Sequence, residues 1–220
     1  MPQFNIEQAR FNMIEQQIRT WDVLDQQVLD LLSVVPREAF VPTAYRNLAF
    51  ADINIPLAHE QMMMTPKLEG RLIQALMLNK NDTVLEIGTG SGYLTALLAN
   101  LAKHVDSVDI YQDFTQETEK KLKTQNIHNV SLQSGDAIHG WNMYTRYDVI
   151  VLTGSVPVLE SHFLSQISEG GCLFAIVGDD PVMQAQLIKR ISEHEFDSED
   201  LFETSLPPLL GAPEPERFIL

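Results

Sequence analysis

The stretch VLEIGTGSGYL, Val84 to Leu94, constrains the fold of this 220-residue chain more than any other. A short apolar run, TVLEI, leads into glycines at alternate positions, Gly88, Gly90 and Gly92, and then into the helical pattern YLTALLANLA. Glycine lets a backbone turn sharply and lets a ligand approach it closely. A strand, a glycine turn and a helix open a parallel sheet whose ligands bind at the carboxyl ends of the strands, near the point where strand order reverses. The texture then repeats, with strands in VDSVDI, VSLQSGD, YDVIVLTG and GGCLFAIVG, a polar helix from about Phe114 to Gln125, and a helix in VLESHFLSQI. Continuous Val/Ile/Leu runs of this kind suit a parallel sheet covered on both faces. The expected fold is α/β: a doubly wound, mostly parallel sheet over residues 81–220. MQAQLIKRISEHEF and DLFETSLPPLLGAPEPERFIL should supply a closing pair of strands split by a Pro-rich loop.

Residues 1–80 read as an N-terminal helical cap that supplies the acceptor side of the same structural unit. Asn5 is placed as an N-cap, with Gln8 as its capping-box partner. In VLDQQVLDLLSVV, Leu24, Val28, Leu31, Leu32 and Val35 recur at helical spacing, and Pro36 ends the helix. The aromatic and proline-containing stretch that follows reads as a packed cover. Thr65 and Pro66 read as N-cap and first helical residue, with Leu68, Leu72, Ala75 and Leu76 on one face.

Composition excludes several function classes. Fifteen Lys and Arg against thirty Asp and Glu leave a net charge of −15, with no basic surplus to neutralise the phosphates of a nucleic acid or an anionic membrane. No apolar run approaches the ~18 residues of a membrane helix, and the N-terminus lacks a signal-peptide layout, so the cytoplasm is the expected location. The one cysteine, Cys172, reads as a buried small hydrophobe. The six histidines show no ligand spacing, so no metal is expected.

The glycine turn departs from the dinucleotide pattern G-x-G-x-x-G: its third glycine comes one residue early and Tyr93 fills a position that site needs small. It also lacks the lysine of a Walker loop. Glu86-x-Gly88-x-Gly90-x-Gly92 instead resembles motif I of class I S-adenosylmethionine-dependent methyltransferases. On that resemblance Glu86, Gly88, Thr89, Gly90, Ser91, Gly92, Tyr93 and Leu94 are expected to hold the cofactor. Asp109, at the end of the second strand, suits two ribose hydroxyls without a 2′-phosphate. Asp136, after the third strand, suits an adenine amino group. Three acceptors and no phosphate clamp fit S-adenosylmethionine. Ile110, Ala137 and Thr153 complete the expected cofactor set, and Trp141 is placed near the adenine edge.

Further stretches narrow the resemblance. VPREAFVPTAY, DINIPLAHEQ, NVSLQSGDAIHGW, YDVIVLTGSVP and LSQISEGGCLFAIVG occur with the glycine turn in the order and spacing of protein-L-isoaspartate O-methyltransferases. The resemblance runs from about Met13 to Gly178. It implies methylation of the free carboxylate of isoaspartyl residues in damaged proteins, by a monomer or homodimer. Two alternatives stay open: another carboxylate or small-molecule acceptor, or a binding protein that transfers nothing.

The resemblance breaks at HEQMMMTPK. The family reads roughly Gly-His-Gly-Gln-Thr-Ile-Ser, and here Thr-Ile-Ser becomes Met62-Met63-Met64. Met64 stands where the family places a hydroxyl beside the reacting groups, and the three methionines are expected to line the cofactor and acceptor cleft. Thr65 follows one position late as a candidate hydroxyl, and His59 is the remaining candidate catalytic residue. Thr153 and Ser155 are alternative hydroxyl sources. The Pro-rich tail from Leu206 to Arg217 is expected to reshape the acceptor side.

Overall fold

The computed structural model describes residues 5–142 and 145–213. Its centre is a seven-stranded sheet of β3 (Thr83–Ile87), β4 (His104–Asp109), β5 (Val130–Ser134), β6 (Tyr147–Val156), β7 (Ile167–Asp179), β8 (Val182–Arg190) and β9 (Phe196–Thr204). The strand order is β5-β4-β3-β6-β7-β8-β9. Pairings from β5 to β7 are parallel, and those of β8 and β9 antiparallel. Order therefore reverses between β3 and β6, which sets the switch point at the glycine turn. The closing strands are a meander whose link is Ile191–Glu195. The Pro-rich segment follows β9 rather than dividing the pair, and its residues beyond 213 lie outside the described ones.

Strand parity divides the core in two. Val84, Val105, Val149, Phe174 and Ile176 face one side, against α4 (Tyr93–Leu101) and the N-terminal helices. Leu85, Ile87, Ile150, Leu152 and Leu173 face the other, with Ile138 and Phe163. Residues of the N-terminal region such as Ile18, Leu32, Phe40 and Leu72 belong to the first of these cores, so this region is a layer on the sheet. It comprises α1 (Ile6–Met13), α2 (Gln26–Val34), a two-residue pairing of β1 (Ile55–Pro56) with β2 (Met62–Met63), and α3 (Pro66–Leu76).

Asn5 caps α1, its Oδ1 accepting from Gln8 N at 3.1 Å; the Gln8 side chain donates to Asn12 instead of returning to the cap. Asp25 caps α2, so Leu24 precedes the helix and is 66% exposed instead of joining its apolar face. In VLESHFLSQI only Ser161–Ser165 is helical, because Ile167 already begins β7. Crossing α5 (Gln112–Thr124) links β4 to β5.

The deepest charge in the cap layer is Arg37, whose Nη1 pairs with Glu69 while Nε donates to Ala49 O at 2.9 Å and Nη2 to Met64 O at 2.6 Å. Its guanidinium also lies 5.0 Å from the centre of the Tyr93 ring. One buried cation thus joins the segment before the methionines, the methionine strand, α3 and α4. Burial lowers the Arg37 pKa to about 10, which leaves it charged at neutral pH. Cys172 is buried as expected, and burial pushes its thiol up to about 11. Among the described residues, no helix is long and apolar enough to cross a membrane, and no three His, Cys, Asp or Glu are grouped to hold a metal ion.

Candidate active site

A cleft opens at the carboxyl ends of β3, β4, β5 and β6 and encloses about 760 Å³ free of protein atoms, solvent at its mouth included. Its floor is the glycine turn. Gly88, Gly90 and Gly92 have φ of +98°, +50° and +81°, values that side chains rarely tolerate. A Cβ on Gly88 would collide with Thr153 Oγ1, and one on Gly92 with Thr118. Thr153 in turn donates its hydroxyl towards Ile87 O and Gly88 O, at 2.9 and 2.7 Å, which ties β6 to the turn.

Asp109 ends β4 and is only 6% exposed. Gly90 N donates to its Oδ2 at 2.8 Å and Tyr111 N to its Oδ1 at 2.9 Å. Burial raises the Asp109 pKa, and these backbone N–H groups oppose that shift. Each carboxylate oxygen keeps a lone pair for a further donor in the cleft. Asp136 lies across the cleft, its Oδ1 accepting from Ile138 N at 3.0 Å. Val108, Ile110, Ala137 and Ile138 give apolar lining between them.

Of the residues picked out in the sequence, Gly88, Gly90, Asp109, Ile110, Asp136, Ala137 and Thr153 line this cleft together. Glu86 does not, which corrects its expected place at the ligand. The two-residue period of β3 turns it to the α4 side with Val84, fully buried. There its Oε2 accepts from Thr95 Oγ1 and Ser107 Oγ, both at 2.5 Å, while Oε1 is buried without a partner among the described residues. Burial raises its pKa to about 8 against those two hydroxyls, so the carboxyl is protonated at neutral pH. Thr89 bonds Ser107 in the same buried group, and Tyr93 and Leu94 are core residues. Gly92 and Ser91 also stay out of the cleft; Ser91 lines a neighbouring groove. Trp141 packs behind Gly135 rather than in the lining.

The methionines also separate, but not by parity alone, because β2 ends at Met63. Met62 is 46% exposed and lines the cleft, whereas Met63 and Met64 are 3% and 6% exposed and belong to the core beneath the cap. The expectation that all three line the cleft is corrected: only the first does. Met64 is not at the cleft wall, and Thr65 is the N-cap of α3, its Oγ1 accepting from Leu68 N at 3.4 Å. Ser155 is fully buried and donates to Leu206 O, so it offers no free hydroxyl. His59 sits at the cleft's rim, stacked on Tyr111 and 2.8 Å from Asp113 Oδ2, and holds that carboxyl below its usual range.

Several lining residues lie outside the sequence motifs. Tyr111 and Phe114 follow Asp109 into the first turn of α5, and their aromatic character beside the strand end could have marked them. Gln61, beside the expected Met62, follows from the pairing of β1 with β2. Leu206–Leu210, the start of the Pro-rich tail expected on the acceptor side, also lines the cleft, although its pairing partner had no local signal. It runs beside the end of β6, with Ser155 N donating to Pro207 O and Leu209 N to Ser155 O, and so extends the sheet where β3 stops. Leu209 then lies over Gly154 and walls one end of the cleft.

The lining contains two aspartates and, among the described residues, no Lys, Arg or His. A pyrophosphate would find no cation here, while an adenosine with a positively charged tail meets acceptors and apolar walls. Such a cleft, at the switch point of a mostly parallel sheet closed by an antiparallel pair, has the architecture of a class I methyltransferase. A solved protein-L-isoaspartate O-methyltransferase superposes with a TM-score of 0.76 over 92% of this chain and 66% of that one, at 23% identity. A Plasmodium falciparum structure assigned to the same activity, in complex with S-adenosyl-L-homocysteine, gives 0.76 over 94% and 99%, at 17% identity. These two likenesses establish the fold. The family model of protein-L-isoaspartate(D-aspartate) O-methyltransferases matches residues 8–212, and the chain belongs to that family. A protein-L-isoaspartate O-methyltransferase of Cronobacter sakazakii is 35% identical over 189 residues, 86% of this chain and 91% of the relative.

Proposed function

We propose that the protein transfers the methyl group of S-adenosylmethionine to the free carboxylate of isoaspartyl residues in damaged proteins. The observation that carries this reading is the cleft itself: a glycine floor, carboxylates at Asp109 and Asp136, and no cation among the described residues of the lining, in a chain that belongs to this family. Asp109 is assigned to ribose hydroxyls and Asp136 to the adenine amino group, with Ile110, Ala137 and Ile138 against the base. Gly88, Gly90 and Thr153 form the floor beneath the methionine end.

When bound, S-adenosylmethionine supplies a methyl group on a sulfonium and the positive charge of that centre. The acceptor carboxylate, whose ordinary pKa is about 4, is ionised at neutral pH and needs no general base. This agrees with a lining that holds no histidine or lysine among the described residues. The reaction joins an anion to a cationic centre and neutralises both, so apolar walls favour it over a watery site. Met62, Leu206, Pro208 and Leu209 supply those walls. Holding acceptor and donor in line carries the remaining acceleration, since effective molarities of aligned groups reach roughly 10⁵–10⁸ M. The family hydroxyl missing at Met64 is then a contributor to orientation, not the source of the chemistry.

The test is transfer of labelled methyl from S-adenosylmethionine to an isoaspartyl peptide and to its normal aspartyl counterpart. Selective labelling of the isoaspartyl peptide is expected. The exposed Met62 thioether, where the family has a polar residue, favours a second reading in which the acceptor is another carboxylate or a small molecule. Cofactor binding without labelling of either peptide would select that reading, or a binding protein that transfers nothing.

A further inference from the structure

The turn Ala58–Gln61 joins β1 to β2 and carries two consecutive non-glycine residues in the left-handed region, His59 at φ +55° and Glu60 at +58°. Positive φ at both central residues is what a two-residue hairpin turn requires, and Gln61 N closes this one by donating to Ala58 O at 3.0 Å. The contacts beyond the hairpin come from the start of α5. The His59 ring lies flat on Tyr111, centres 3.9 Å apart and planes 6° from parallel, with its edge towards Phe114 at 5.6 Å. Its Nε2 is 2.8 Å from Asp113 Oδ2, and Gln61 Nε2 donates to the His59 carbonyl at 3.0 Å.

Both sides of this junction form cleft wall. Gln61 and Met62 come from the hairpin, Tyr111 and Phe114 from the start of α5, and Tyr111 N is also a donor to Asp109. His59 therefore spans the mouth on the Asp109 side. The His59 and Asp113 side chains are 37% and 51% exposed, so the contact can break without opening the core.

We infer that His59 is a positioning residue that latches the β1–β2 hairpin to the start of α5 and thereby sets how long the cofactor stays in the cleft. The inference rests on the cofactor reading given above. With the ring removed, the stacking and the hydrogen bond to Asp113 are lost together, while the turn keeps its own Gln61–Ala58 hydrogen bond. The hairpin then swings from Tyr111, opening the wall beside Asp109. His59 itself touches no reacting atom in this scheme.

The experiment is the dissociation rate of S-adenosylhomocysteine, measured by stopped-flow displacement, for the wild type, His59→Asn, His59→Phe and Asp113→Asn. Asparagine tolerates the left-handed backbone, so His59→Asn removes the ring without disturbing the turn. Loss of one stacked ring contact and one half-exposed hydrogen bond should raise its dissociation rate about 5- to 20-fold, with little change in melting temperature. His59→Phe retains the stack, and Asp113→Asn retains the ring, so each should rise less than His59→Asn. An unchanged rate in His59→Asn beside a wild type that binds would overturn the latch alone. No binding to the wild type would overturn the cofactor reading and the latch with it.

Discussion

Replacing Glu86 by glutamine tests the reading of a protonated carboxyl beneath the glycine turn. The wild-type pKa is about 8 in the folded protein against 4.5 as the ordinary value, with burial as the first cause. Between those values the folded state holds a proton that the unfolded state has released. Stability therefore falls as pH rises through this window, and the loss is complete above the folded pKa. From these two values the wild type should lose about 2–3 kcal/mol between pH 5 and pH 7 from this group, and about 1 kcal/mol more by pH 8. Glutamine cannot titrate, and its carbonyl can still accept from Thr95 and Ser107. Its amide places N–H groups where Oε1 has no partner, which adds a pH-independent penalty of about 1–3 kcal/mol. The assay is urea unfolding of both proteins from pH 5 to pH 8. Their stability difference should shift in favour of the variant by about 3–4 kcal/mol across that range, and the constant penalty cancels from the slope. Parallel profiles would refute the argument, because they would mean Glu86 carries the same charge folded and unfolded.

Arg37→Met should destabilise the protein by about 3–5 kcal/mol in urea unfolding, because it leaves Glu69 buried without its cation; Arg37→Met combined with Glu69→Leu should recover part of that loss. Met64→Ser should cost about 2–4 kcal/mol of stability with no gain in methyl transfer, since the side chain fills core. Met62→Ser should leave stability within about 0.5 kcal/mol and change the acceptor KM in the peptide assay. Asp109→Asn presents an amide to the Gly90 or Tyr111 N–H, and should weaken S-adenosylhomocysteine binding by about 10- to 100-fold in titration calorimetry.

Local sequence determined the elements and the floor of the site. An apolar run followed by alternate glycines can become little other than a strand and a ligand-approaching turn, and an aspartate at the next strand end reaches the same edge. Thr65-Pro66 capped α3 as its residue types require. These outcomes depend on backbone sterics and on periods of two and 3.6, which neighbouring residues set. Which way a side chain faces depends on what packs against each face. Glu86 sits in a motif associated with cofactor, yet parity and the neighbouring Thr95 and Ser107 turn it inward, where full burial raises its pKa to about 8. Three identical methionines divide between cleft and core according to what packs on each, with Met64, past the end of β2, buried beside Met63. Partners far apart in the chain were beyond any local pattern: His59 finds Asp113, Arg37 finds Glu69, and Ser155 finds Leu206. The closing wall of the cleft exists only because the sheet brings those segments together and leaves the end of β6 with backbone groups to satisfy.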